Sequence, residues 1–202
     1  MAADDVPFLV ISGPPGVGKT TVAWEIFDQL IEYGSQHALV DLDLLGASWP
    51  VPADDEHNER LRSQNLASVW SNFSASGARR LIAAGVIENA ENLARYTDAV
   101  AGSKPVLCRL SATDEILHAR IRRRGRERGD GVEALSRRAT ELSAQLEAND
   151  VADFVVETTG REVSEIARII LERAGWAAAR AQGPESVGNA RDYRRPLSRC
   201  GE

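Results

Sequence analysis

Apolar residues follow two rhythms along this chain. Short, nearly continuous runs fall at 6–12, 37–43, 81–88, 104–111 and 153–157, the pattern of strands covered on both faces of a parallel sheet. Between them the apolar positions repeat at helical spacing. Val22, Ala23, Ile26, Phe27 and Leu30 predict a helix over 19–33 that Gly34 ends; Leu61, Leu66, Val69, Trp70 and Phe73 predict another over 57–77. A short helix is expected at 89–101. Thr113, Asp114 and Glu115 open the next one, a hydroxyl cap followed by acids in the first turn. Helices at about 132–149 and 161–174 complete the set. The prolines of Trp49-Pro50-Val51-Pro52 make 44–56 a loop. Strands alternating with helices predict a doubly wound parallel α/β sheet over 1–176. Residues 177–202, with little apolar periodicity, read as a flexible tail.

The first strand opens into Gly13-Pro14-Pro15-Gly16-Val17-Gly18-Lys19-Thr20-Thr21. This fits G-x-x-x-x-G-K-[ST] with a strand before it and a helix after it, the context that a phosphate-binding loop requires. Glycines let the backbone wrap an anion closely, and the helix start offers N–H donors and partial positive charge. Lys19 is expected on the outer phosphates and in catalysis, and Thr20 on a Mg²⁺ ion.

Ligands of open α/β sheets sit beyond the carboxyl ends of the strands, and other candidates fall there. Asp41 and Asp43 flank Leu42, so strand alternation is expected to send both carboxylates to one face. Asp43 is assigned to acceptor binding and base catalysis, and Asp41 to Mg²⁺ through water. Glu88, at the end of the third run, is a candidate to orient Mg²⁺-bound water. Six arginines fall within 120–128, followed by Gly129, and predict a lid at about 122–132. Arg120 and Arg124, one helical turn apart, are the candidates to face the nucleotide, Arg124 in catalysis as well. The small turn Thr158-Thr159-Gly160 puts Thr159 and Gly160 where an adenine ring lies against backbone. Trp49, Asp55, His57, Asn65 and Trp70 lie in the segment that covers the acceptor, with Trp70 expected in the core and His57 at the surface.

Composition narrows the classes. Of 202 residues, 43% are hydrophobic and 27% charged, as in ordinary globular domains. The net charge of −6 argues against general nucleic-acid or membrane-surface binding. No run reaches the roughly 20 apolar residues of a membrane span, and the acidic N-terminus does not read as a secretory signal. Cys108 and Cys200 make no disulfide framework, so a reducing cytoplasm is the expected location.

Together, the 13–21 loop, the Asp41-x-Asp43 strand end, the arginine run and the 158–160 turn resemble the small P-loop kinases. That group includes nucleoside monophosphate, shikimate, gluconate and adenylylsulfate kinases, chloramphenicol phosphotransferase and AAA-type ATP-binding kinase-like proteins. The resemblance spans about residues 6–176. It implies a five-stranded parallel sheet in the order 2-3-1-4-5 with ATP on the loop and a lid over it. It also implies γ-phosphoryl transfer from ATP, with Mg²⁺, to the hydroxyl or phosphate of a small-molecule acceptor facing Asp43. No acceptor-specific signature accompanies the loop. A nucleotide-dependent switch or regulatory ATP-binding protein is the alternative class; the lack of four apolar residues ending in Asp weighs against it.

Overall fold

The computed structural model describes residues 5–55, 57–125 and 129–177. Five parallel strands form one sheet in the order β2-β3-β1-β4-β5, the order that the resemblance implied. They are β1 (Val6–Ser12), β2 (His37–Asp41), β3 (Arg80–Ala84), β4 (Ser103–Ser111) and β5 (Phe154–Glu157). Seven helices are described: α1 (Lys19–Glu32), α2 (Leu42–Leu45), α3 (Glu59–Ala75), α4 (Ala90–Ala99), α5 (Asp114–Arg124), α6 (Asp130–Asn149) and α7 (Val163–Arg173).

Alternation along β1 divides its apolar run between two cores. Phe8 and Val10 join Leu66, Trp70, Tyr96 and Leu107 beneath α3 and α4. Leu9 and Ile11 join Ile26, Leu30, Leu117, Ile121 and Ile170 beneath α1, α5, α6 and α7. Burial on both faces is why the central strand reads as unbroken hydrophobic sequence. Trp70 belongs to the first core and Trp176 to the second, where the Arg80 guanidinium lies 5.2 Å above the Trp176 ring.

Three boundaries differ from expectation. β2 stops at Asp41, not residue 43, because the Asp41 carboxylate accepts the Asp43 N–H at 3.0 Å and caps α2. The premise that strand alternation aligns Asp41 and Asp43 is therefore wrong: Asp43 stands on a helical turn. β3 ends at Ala84, not residue 88. There Gly85 lets α2 pack against the strand end, where a Cβ would lie 2.7 Å from that of Leu42. Finally, Arg122, Arg123 and Arg124 form the exposed last turn of α5, and α6 starts at Asp130, not residue 132. Arg126 and Arg128 lie outside the described residues, as do Cys200 and the expected tail apart from Ala177. Among the described residues, no helix is long and apolar enough to cross a membrane.

Candidate functional site

The loop between β1 and α1 owes its shape to backbone packing. Gly13 has φ +146°, and a Cβ there would meet the Leu110 carbonyl oxygen at 2.7 Å. Gly16 has φ +83°, and its Cβ would meet the Leu117 oxygen at 2.8 Å. The loop is thus wedged against the end of β4 and against α5, in a path that a side chain at either position would block. α1 then begins at Lys19 with Gly18 as N-cap. No side chain caps it and no acid lies in its first turn. Its first N–H groups therefore remain available to an anion, together with the positive end of the helix dipole.

Lys19 Nζ donates to the Gly13 oxygen at 2.8 Å and the Pro14 oxygen at 3.3 Å, so the ammonium lies over the loop. Burial pushes its pKa down to about 8; Asp43 and Asp41 pull upward, and the Arg124 charge adds to the depression. Lys19, Asp41, Asp43 and Arg124 thus share one electrostatic neighbourhood, although different elements carry them. Thr20 Oγ1 donates to Asp41 Oδ2 at 3.0 Å, while Asp41 Oδ1 holds the Asp43 N–H. The Asp43 side chain itself is exposed.

Other candidates sit elsewhere or hold different partners. Glu88 lies beyond β3, facing α6. Its carboxylate takes Arg138 and Gln145 at 3.0 Å each, and its carbonyl takes Asn149 at 2.7 Å. That leaves it a strut between α6 and the segment before α4. Arg120 donates to the Val17 oxygen at 3.1 Å and to Thr158 Oγ1 and oxygen at 2.9 and 3.3 Å. It ties the phosphate loop to the turn after β5. Thr158 is buried and also pairs with Ser111. Thr159 Oγ1 is buried with no partner among the described residues, and Gly160 is exposed. Pro15 and Thr21 line the loop and first helical turn.

Across from the loop, α2 is fastened to α3 by side chains. Asn58 Nδ2 donates to the Gly46 oxygen at 2.8 Å and Asn65 Nδ2 to the Leu45 oxygen at 2.7 Å. Asp55 caps α3 through the Arg60 and Leu61 N–H groups. Arg62 lies flat over Gly46, where a Cβ would meet its Nε at 2.5 Å. It pairs with Glu59 at 3.0 Å, and Tyr96 donates to the other Glu59 oxygen at 3.0 Å. Burial opposes the Arg62 charge, but Tyr96, Glu59 and Asp43 outweigh it and hold its pKa above the ordinary value. Burial and the Glu59 carboxylate push the Tyr96 phenol up, so it stays protonated. Sequence reasoning did not single out Glu59, Arg62 or Tyr96. Their one trace there is an acid and an arginine three apart in the first turn after the acceptor loop.

The model of the AAA domain family matches residues 9–163. No curated protein matches the chain. Among solved structures, a tunicamycin resistance protein of Deinococcus radiodurans superposes with a TM-score of 0.58 at 20% identity, covering 85% of this chain and 96% of that one. A gluconokinase of Sinorhizobium meliloti gives 0.57 at 17% identity, covering 84% and 92%. An APS kinase of Mycobacterium tuberculosis, in complex with AMPPNP and APS, gives 0.54 at 19% identity, covering 84% and 98%. At these identities the likeness is one of fold: a five-stranded parallel sheet between helices, as in P-loop kinases.

Proposed function

We propose that this chain, which belongs to the AAA domain family, is an ATP-dependent phosphotransferase that moves the γ-phosphate to a small-molecule acceptor. The observation that carries the reading is one juxtaposition. An uncapped helix start and a half-buried lysine share a neighbourhood with the Thr20–Asp41 oxygen pair and the exposed carboxylate of Asp43.

Both implied groups fit the residues present. A loop that tolerates no Cβ at Gly13 or Gly16, followed by uncapped amides, suits the phosphates of ATP. Thr20 and Asp41 are hard oxygen donors, and no group of three or more His, Cys, Asp or Glu among the described residues could form a full protein cage. A hydroxyl on the ion and a carboxylate reached through one of its waters, with phosphate oxygens for the rest, suits Mg²⁺, which ordinarily keeps several waters. When bound there, Mg²⁺ would neutralise charge on the phosphates.

The chain's own residues then divide the work. The α1 amides and Lys19 hold the phosphates and offset the charge that develops during transfer. Arg124, close enough to act on the Lys19 charge, reaches the same phosphates from the end of α5. Asp43 holds the acceptor hydroxyl and takes its proton as the new P–O bond forms and the bond to the leaving ADP opens. Arg120 keeps the loop in register through the Val17 oxygen. Thr159 and Gly160 border the adenine. The acceptor lies between the loop and the α2–α3 face.

The test is direct. The protein is incubated with Mg-ATP and pools of nucleosides, nucleotides, sugars, hydroxy acids and antibiotics, and the products are weighed by mass spectrometry. One acceptor should gain the mass of a phosphate as ADP appears. ADP formed at the same rate with no acceptor present would turn the reading toward a hydrolytic switch.

A further inference from the structure

The α2–α3 face has a charge pattern that bears on what it accepts. Arg62 is the guanidinium of this face whose charge acts with that of Asp43, and it is already matched. Glu59 holds it at 3.0 Å, and both partners are only about a fifth exposed, 22% and 23%. The other Glu59 oxygen is taken by Tyr96 at 3.0 Å, so the carboxylate is fixed on both sides and cannot swing away from Arg62 without losing both partners. Arg62 Nε is buried with no partner among the described residues. Covered by Gly46, that nitrogen is closed to an incoming group, and the guanidinium carries no uncompensated charge. From residue 43 to residue 62 the sequence sets five carboxylates against two guanidiniums, so this stretch carries net negative charge. The same stretch of chain carries two apolar side chains exposed to solvent, Leu44 at 73% and Trp49 at 90%.

We infer that the acceptor is an uncharged alcohol with an apolar portion, and that Glu59, fixed by Tyr96, excludes anionic acceptors by occupying Arg62. The inference rests on the phosphotransferase reading for the location of the acceptor. An incoming phosphate or carboxylate would have to displace Glu59 and leave it half-buried beside a protonated phenol, or approach Arg62 with Glu59 and Asp43 still in place. Either route puts like charges together where water screens them poorly. A neutral hydroxyl meets neither obstacle: it can accept from Arg62 and donate to Asp43 while the ion pair stays whole. Leu44 and Trp49 offer the surface against which an apolar part of the acceptor would be removed from water.

The site can be probed with inorganic phosphate before any acceptor is identified. The protein is saturated with the Mg²⁺ complex of a non-hydrolysable ATP analogue, so that the loop is filled, and is then titrated with phosphate by calorimetry. The wild type should show no second saturable site. Glu59→Gln, which keeps a hydrogen-bond acceptor for Tyr96, should gain one at Arg62, with phosphate bound about tenfold or more tightly than by the wild type. Tyr96→Phe keeps the carboxylate charge and should still reject phosphate, which separates charge from a loosened face. One phosphate bound per wild-type chain and lost in Arg62→Ala would overturn the inference. So would Glu59→Gln that melts like the wild type and still binds no phosphate. Transfer is scored separately: wild-type kcat/KM should favour neutral over anionic acceptors by about a hundredfold, inverted or flattened in Glu59→Gln. A preferred anionic acceptor sinks the inference. If phosphate responds as described but nothing is phosphorylated, the transferase reading fails and the charge argument stands.

Discussion

The two sides of the proposed site are built by different means. The phosphate loop is shaped by backbone against backbone: Gly13 against the Leu110 carbonyl, Gly16 against that of Leu117, and a helix start left uncapped. The α2–α3 face is shaped by side chains holding backbone: Asn58 on Gly46, Asn65 on Leu45, Asp55 on the first turn of α3, and Arg62 laid over Gly46. A backbone cradle admits few residue types at fixed spacing and binds what any triphosphate presents. A side-chain frame can be rebuilt in many ways and sets which acceptor fits. The donor side should therefore respond to substitution with loss of function, and the acceptor side with changed preference.

The largest effect is expected on the donor side. Lys19→Ala removes the ammonium beside the phosphates and should lower phosphoryl transfer by about a thousandfold or more, with the thermal midpoint close to that of the wild type. Gly16→Ala, by contrast, forces a Cβ against the Leu117 carbonyl at positive φ, so it should lose nucleotide binding and also stability, by about 1–3 kcal/mol. Calorimetric titration with nucleotide alongside a melt distinguishes the two. A Lys19→Ala protein that turns over normally would remove the lysine from the chemistry.

Asp43→Asn should come next. It keeps the size of the side chain and the Asp43 N–H held by Asp41, but not the ability to take a proton, so kcat should fall about a hundredfold or more. Nucleotide affinity should change far less than kcat, because Asp43 acts on the donor side only through its charge on Lys19. Equal losses in nucleotide affinity and kcat would move Asp43 from the acceptor side to the donor side.

This contrast also explains what could be read in the sequence. The parallel α/β sheet followed from alternating periodicity, its strand order from the resemblance alone, and the loop from its glycine spacing, because few residue types can stand in for those glycines. The register around Asp41 did not. An Asp in an apolar run reads equally well as the end of a strand or the cap of the next helix, and only the bond to the Asp43 N–H decides. Arg120 and Glu88 stand close enough to strand and helix ends to look functional. Their partners, Val17 and Thr158 for one and Arg138 and Gln145 for the other, lie 38 to 103 residues away. Pairing over such distances leaves no local signal. The same holds for Tyr96 and Glu59, 37 residues apart.

Acidity offers a milder perturbation of the donor side alone. With its pKa held down to about 8 by burial, Lys19 is charged below that pH and neutral above it. A bound polyphosphate favours the charged form and raises the pKa, so binding above pH 8 must take up a proton. Nucleotide affinity should thus be flat below about pH 7 and weaken above pH 8, by at most about tenfold per pH unit. Calorimetry in buffers of different ionisation enthalpy should detect the proton taken up. In Lys19→Met, both the slope and the uptake should vanish. A slope that persists in that variant would assign the titration to another group.

The smallest expected effect falls on the acceptor frame and tests whether side chains really hold it. Asn65 Nδ2 donates to the Leu45 carbonyl, one of the oxygens that a helix C-terminus leaves without an intrahelical partner. Asn65→Ala leaves that oxygen unpaired near the junction with Gly46 and should cost about 1–2 kcal/mol of stability. α2 should loosen against α3, and with it the position of Asp43, so acceptor KM should rise several-fold while nucleotide Kd stays put. Asn65→Asp, nearly the same shape but without the donor, should behave like the alanine variant and not like the wild type. If the two variants instead keep the wild-type KM, the frame is held by packing of Leu42 beneath α2, and the acceptor side would resemble the donor side more than its hydrogen bonds suggest.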